Sequence, residues 1–382
     1  MSARVLFLDC TNGIGVGGGQ RSLQLLLEEL DPRFEPILAC PPRERLLDGI
    51  PRHVRAIPLP LPGEFQALSR RHTGWRSAFG ALPDLGQTVA HLRDILRRER
   101  PAIIHSNNLK MHLLAAAAST GLGIPRLWHL RDILPVNSLT ATVKRVAAQA
   151  STRVLAVSRA VAQQLPGSHV QVLYNAVRLP DVSRLPALRA GYRRRRNIPA
   201  DSCVIGYAGR LDRGKGLHSL IHAFAQTHAT QPHTRLIVAG EGPERASLET
   251  LAHNHRFQEA IHFIGFENDL QGFYSALDIA AAPSNEPDSF PRSVIEAMAH
   301  SLPVIGTASG GIPEAIENAV TGFVLPPGDT AALARAIDGL SSSAPLRRQF
   351  GRAARLRAER EFSAEAQSRS LAQIYRELIP AA

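Results

Sequence analysis

Ser284-Asn285-Glu286-Pro287-Asp288-Ser289-Phe290-Pro291-Arg292-Ser293-Val294-Ile295-Glu296-Ala297-Met298-Ala299 holds two carboxylates, Asp288 and Glu296, eight residues apart. The stretch predicts a helix start, with Ser289 as cap and Pro291 in the first turn. Eight helical residues make a little over two turns, so both carboxylates are expected to face one cleft. A helix start offers unpaired N–H groups and the positive end of the dipole. Anion-friendly amides between two hydroxyl-binding carboxylates suit a sugar attached to a nucleotide diphosphate.

Outward from this stretch, short apolar runs alternate with helical patterns. Val5–Leu8, Ile37–Ala39, Ile103–Ile104, Leu127–Trp128 and Val154–Val157 read as strands, with helical stretches such as Arg21–Leu30 and Gln87–Arg98 between them. Val204–Ala208, Leu236–Ala239, His262–Ile264, Ile279–Ala282 and Val304–Gly306 repeat the style. Such alternation predicts an α/β protein of parallel sheets covered on both faces, and two series predict two doubly wound domains. Pro180, Pro186 and Pro199 mark residues 178–200 as a connector, with the run Arg193–Arg196 on a short helix or linker. The expected domains are residues 1–180 and 181–360, followed by a helical segment, 361–382.

Three further constellations carry chemistry. The first strand leads into Asn12-Gly13-Ile14-Gly15-Val16-Gly17-Gly18-Gly19-Gln20-Arg21, where five glycines let the backbone approach a ligand ahead of a helix. Gly13, Gly15 and Gly18 have the dinucleotide-fingerprint spacing, but the second strand ends Leu38-Ala39-Cys40-Pro41, with no acid to hold a ribose. Gly206-Tyr207-Ala208-Gly209-Arg210-Leu211-Asp212-Arg213-Gly214-Lys215-Gly216 places two cations across a turn. Arg210 and Lys215 can neutralise a diphosphate leaving group without a metal. His105 and His129 each stand at the predicted C-terminal end of a strand, where ligands bind in open α/β sheets.

The acid–seven residues–acid stretch and the Arg210/Lys215 pair resemble the signature of family-four retaining glycosyltransferases, with Asp288 where many members carry Glu. The resemblance covers most of the chain, most strongly residues 204 to 326. It implies the GT-B fold: two Rossmann-like domains facing across a cleft, the first binding the acceptor and the second the nucleotide sugar, with a C-terminal helix returning to the first. It also implies roles. Arg210 and Lys215 hold the diphosphate, Glu296 the ribose hydroxyls, and Asp288 with backbone amides near Phe290 and Pro291 the sugar. Gly18 and Gly19 face the diphosphate, with Gln20 beside them on the acceptor side. Gly209 and Gly242 belong to donor-side turns, and Phe266 to the nucleotide-base segment. His129 contacts the donor sugar, and His105 is assigned to the acceptor side. No metal and no cofactor are implied beyond the nucleotide-sugar co-substrate.

Charge and cysteines bound the setting. Of 382 residues, 1–180 hold 22 Lys+Arg against 12 Asp+Glu, and 181–382 hold 22 against 21. The basic first half predicts an anionic partner: a membrane surface, a lipid-phosphate acceptor or nucleic acid. Arg70–Phe79 interleaves cations with Trp75 and Phe79, as an interfacial or acceptor loop would. No nucleic-acid module signature is present, so no nucleic-acid partner is expected. Cys10, Cys40 and Cys203 are too scattered for a metal site and read as buried thiols in a reducing, cytoplasmic protein, at the inner face of the membrane if peripheral. No run reaches the roughly 20 apolar residues of a membrane span. The expected function is metal-independent, retaining transfer of a sugar to a glycan or lipid-linked acceptor in cell-surface polysaccharide synthesis, such as lipopolysaccharide. The rivals are a nucleotide-sugar epimerase on the same fold and a non-catalytic nucleotide-sugar or polyanion binder.

Overall fold

The computed structural model describes residues 2–10, 17–42, 45–63, 65, 82–133, 138–165, 167, 169–255, 257 and 259–379. Gly13, Gly15 and the stretch Arg70–Phe79 lie outside them. The chain divides into two units: Met1–Ala176 with Ala364–Ala382, and Val177–Ser363.

The first unit holds a seven-stranded parallel sheet in the order β3-β2-β1-β4-β5-β6-β7. Its strands are β1 (Ala3–Leu8), β2 (Phe34–Cys40), β3 (Arg55–Pro58), β4 (Ile103–Ser106), β5 (Arg126–Leu130), β6 (Arg153–Ala156) and β7 (Val170–Val172). Successive strand side chains point to opposite faces. Val5 and Phe7 therefore enter one core with Leu371, Ile374 and Tyr375, while Leu6 and Leu8 enter another with Leu92, Ile95 and Met111. Burial on both faces is why β1 reads as an unbroken apolar run. The helix Ala364–Leu378 supplies part of the first core through an apolar stripe three and four residues apart.

The second unit holds a six-stranded parallel sheet in the order β10-β9-β8-β11-β12-β13. These are β8 (Cys203–Ala208), β9 (Thr234–Ala239), β10 (Ile261–Gly265), β11 (Ile279–Ala282), β12 (Val304–Thr307) and β13 (Gly322–Leu325). Both sheets reverse direction of growth once, between β1 and β4 and between β8 and β11. Such switch points open a crevice at the strands' C-terminal ends.

The segment read as a connector is largely helical. Leu185–Arg195 is a helix with Pro186 in its first turn, where a missing N–H costs nothing. The arginine run ends that helix and is partly structural. Arg193, 4 % exposed, donates to Asp278 Oδ2 at 2.7 Å, and Arg189 donates to Oδ1 at 2.8 Å. The Val204 N–H, at the start of β8, also donates to Asp278. Asp278→Ala is expected to cost about 3–5 kcal/mol in urea unfolding, because it leaves a buried guanidinium uncompensated. A cost under 1 kcal/mol would show that the pair holds nothing together. All three cysteines are buried, and no described helix is long and apolar enough to cross a membrane.

Candidate functional site

In the second unit, the loops beyond β8, β9, β10 and β11 are knitted together at the switch point. Beyond β8, a single tight turn, Arg213–Lys215, runs into Gly216 and then the helix Leu217–Thr230. Gly216 has φ +71°, and a Cβ there would lie 1.8 Å from the Pro283 carbonyl oxygen. The loop beyond β11 is drawn onto this turn: the Asn285 and Glu286 N–H groups donate to the Gly214 carbonyl at 2.8 and 3.1 Å. On the other side, the Gly209 N–H donates to Ala239 and the Leu211 N–H to Glu241, each at 3.0 Å. A Cβ on Gly242 would meet the Leu211 carbonyl oxygen at 2.4 Å. Gly209 and Gly242 thus sit where the two loops run close together. Phe266, just past β10, is 59 % exposed.

The approach of these loops sets Lys215 Nζ against the Asp288 carboxylate as an ion pair. Both side chains keep some exposure, 31 % and 19 %. Arg210 instead reaches Asp212 at 3.1 Å and is largely exposed. The Asp288 carbonyl accepts the Gly311 N–H at 2.7 Å, so the loop beyond β12 fixes this residue from behind.

The helix carrying Glu296 spans Arg292–Ala299, with Pro291 itself as the extended N-cap residue and no side-chain cap. Ser289 is therefore not the cap the sequence predicts. Pro291 has no N–H and offers a ligand no amide. Its carbonyl accepts from the Val294 N–H at 3.2 Å. Phe290 is buried against Phe362, with ring centroids 5.4 Å apart. Glu296 Oε2 accepts from the Tyr274 hydroxyl at 3.0 Å, and Oε1 from Arg292 at 3.1–3.2 Å. Sequence reasoning gave neither Tyr274 nor Arg292 a role. The i, i+4 spacing of Arg292 and Glu296 on one helix is the signal that could have found the second.

In the first unit, the helix Gly18–Glu28 begins after Gly17, and Gln20 Oε1 accepts the Gly17 N–H at 2.5 Å. A Cβ on Gly19 would meet no described atom within 4 Å. The ends of β1, β4 and β5 gather a buried polar cluster. Asp9 Oδ1 accepts from Asn108 at 3.0 Å, and burial pushes its carboxyl up to about 6, opposed by the nearby Arg131. Arg131 donates to Asn107, to Asn175 and to His129 Nδ1, the last at 3.2 Å. His105 and His129 are fully buried. His105 lies behind His129, with Nδ1 on the Tyr375 hydroxyl at 2.5 Å and Nε2 on His129 Nδ1 at 3.2 Å. Both its ring nitrogens are thus held by protein groups. Burial holds both imidazoles well below the usual histidine range, with Arg131 adding to the effect. Among the described residues, no three or more His, Cys, Asp and Glu side chains gather as metal ligands would.

Two parallel doubly wound units, with cations and carboxylates at a switch point, define the fold class of GT-B glycosyltransferases. Solved structures share it: Anabaena HepE in complex with UDP has TM-score 0.81 at 23 % identity, covering 98 % of this chain and all of that one. A glycosyltransferase from Rickettsia africae has TM-score 0.83 at 20 % identity, covering all of both chains. Residues 189–357 match the family model described as Glycosyl transferases group 1, and residues 16–179 match Glycosyltransferase Family 4. The two matches take in most of the chain, which belongs to this glycosyltransferase family. It is 29 % identical over 378 residues to the D-inositol 3-phosphate glycosyltransferase of Saccharomonospora viridis, covering 89 % of this chain and 83 % of that one. It is 33 % identical over 214 residues to the glycogen synthase of Mycobacterium tuberculosis, 55 % of this chain. The match spans about half of that relative, 49 % of its length.

Proposed function

We propose that the protein transfers a sugar from a nucleotide-diphosphate donor to a hydroxyl of a glycan or lipid-linked acceptor, with retention at the anomeric carbon and without a metal ion. The observation that carries this reading is the meeting of Lys215 and Asp288 at the switch point of the six-stranded sheet, with Glu296 on the next helix. Lys215 and Arg210 take the diphosphate, Glu296 the ribose and Asp288 the sugar hydroxyls. The resemblance assigns Gly18 and Gly19 to the diphosphate and His129 to the sugar. The bond from the anomeric carbon to the phosphate oxygen breaks as the acceptor oxygen bonds to that carbon on the same face. The acceptor's proton passes to the departing phosphate. Catalysis is then positioning and charge stabilisation, with no protein nucleophile.

Uridine is the base to test first, since the similar Anabaena protein was crystallised with UDP and with UDP-glucose. A cell-surface acceptor is favoured by the basic residues 1–180 and by similar proteins named for capsular polysaccharide and lipopolysaccharide biosynthesis. Contact with an anionic membrane surface on the cytoplasmic side goes with a lipid-linked acceptor.

The test is thermal stabilisation by UDP, GDP, ADP and NAD in EDTA. A ligand at a hundred times its Kd adds about 2.7 kcal/mol to the folded state. One nucleoside diphosphate is expected to raise the Tm without magnesium. A shift from NAD alone, or only with magnesium present, would overturn the reading.

A further inference from the structure

The buried histidines of the first unit form a directed chain of hydrogen bonds whose sense follows from what each group can give. Arginine can only donate, so His129 Nδ1, which faces Arg131 Nη2 at 3.2 Å, must be an acceptor. Burial of the ring keeps it uncharged, so its one proton stands on Nε2. His105 Nε2 faces that same Nδ1 lone pair at 3.2 Å and must therefore carry the His105 proton. His105 Nδ1 is left as an acceptor, and the Tyr375 hydroxyl donates to it at 2.5 Å. The Phe7 ring, with its centroid 4.8 Å from that of His105, fixes the plane of the middle member. Every proton is placed once and no two lone pairs face one another.

The chain ends in a buried donor. His129 Nε2 is shielded from solvent and has no hydrogen-bond partner among the described residues. A buried N–H without an acceptor costs stability. It stands at the C-terminal end of β5, beside the sheet's switch point. Such a group is accounted for by a ligand oxygen that completes it.

We propose that Tyr375 and His105 are positioning residues which, together with Arg131, hold His129 as its Nε2–H tautomer, so that His129 gives a bound ligand a hydrogen bond and does not act as a base. The ligand's identity rests on the glycosyltransferase reading, in which the acceptor atom is an oxygen of the nucleotide sugar. The tautomer does not depend on that reading. Its far end is a side chain of the helix Ala364–Leu378, more than 200 residues away in sequence, so the helix's role extends beyond filling the core.

The experiment is long-range 15N–1H correlation of the histidine rings in the full chain, assigned with His105→Gln and His129→Gln. Both rings are expected as neutral Nε2–H forms in the wild type, with the His105 Nδ1 resonance displaced by its hydrogen bond. In Tyr375→Phe that displacement is expected to vanish, and the KM for the donor to rise about fivefold with kcat nearly unchanged, as for one weakened hydrogen bond. A protonated Nδ1 on either ring in the wild type overturns the proposal, and this reading stands even if Tyr375→Phe does not fold. Unchanged ring nitrogens and unchanged KM in a folded Tyr375→Phe protein remove Tyr375 from the chain. A loss of Tm alone, with the ring pattern intact, would leave the tyrosine a packing residue only and also overturn its assignment. If no donor is turned over while the wild-type pattern is as expected, the transferase reading fails and the tautomer assignment holds.

Discussion

Lys215→Ala is expected to lower turnover by about two to three orders of magnitude, the scale seen when one preorganised stabiliser of developing charge is removed. Lys215 is the cation that the loops beyond β8 and β11 bring against Asp288. Its loss removes a positive charge from the proposed diphosphate position and leaves the Asp288 carboxylate uncompensated where an anion must bind. The two effects separate in Lys215→Ala/Asp288→Asn, which removes the repulsion but restores no stabilisation. Recovery of less than tenfold is expected there. The fold should survive, because the pair is partly exposed and an exposed ion pair contributes at most about 1 kcal/mol. Turnover within threefold of wild type for Lys215→Ala would remove Lys215 from the diphosphate site.

The second large effect is a loss of stability in mild acid. His105 and His129 stay neutral in the folded state, burial holding them well below the ordinary 6.5. Their folded values are depressed, so below pH 6.5 the unfolded chain binds more protons and stability falls as pH falls. Between pH 7 and 5 each histidine contributes a loss of about 2 kcal/mol, from about 1.4 kcal/mol per unit of separation. Asp9 acts in the opposite sense. Its folded value, raised from 3.8 to about 6, means that the native state takes up the proton first. That returns about 1 kcal/mol over the same window. The net loss from this cluster is about 3 kcal/mol, readable in urea unfolding followed by the fluorescence of buried Trp128. His105→Gln should flatten the profile by about 2 kcal/mol, and an unchanged slope would show that these rings titrate in the folded protein.

The central strands were readable because burial on both faces writes them as apolar runs: Val5–Leu8, Ile279–Ala282 and Val304–Gly306 all fall within observed strands. β3, β7 and β13 were not singled out. Each is a sheet edge of three or four residues, carrying Arg55 and Pro58, Gln171, or Gly322 in place of a full apolar run. The prolines of residues 178–200 read as a connector, with the arginine run on a short helix or linker. Yet Pro186 lies in the first turn of the helix Leu185–Arg195, and Tyr192 and Arg193 are held by Glu267 and Asp278, partners 75 and 85 residues away. The same limit applies to the candidate site. Lys215, Asp288 and Glu296 announce themselves by spacing, and the histidines by their position at strand ends. That Glu296 is held by Tyr274, or His105 by Tyr375, depends on tertiary packing that no local pattern records.

The placement of Ala364–Ala382 in the first unit sets an order for biogenesis. A chain made from its N-terminus exposes β1 to β7 first, but the face of that sheet awaiting Leu371, Ile374 and Tyr375 stays uncovered until the helix Ala364–Leu378 leaves the ribosome. The second unit is one continuous stretch, Val177–Ser363, and all its parts emerge earlier. The half begun first is therefore completed last. A product that ends before Ala364 would carry a finished second unit and an open first one. Its exposed apolar face would mark it for chaperones and proteases, so that synthesis of this helix is itself a condition for the Tyr375–His105 hydrogen bond to form.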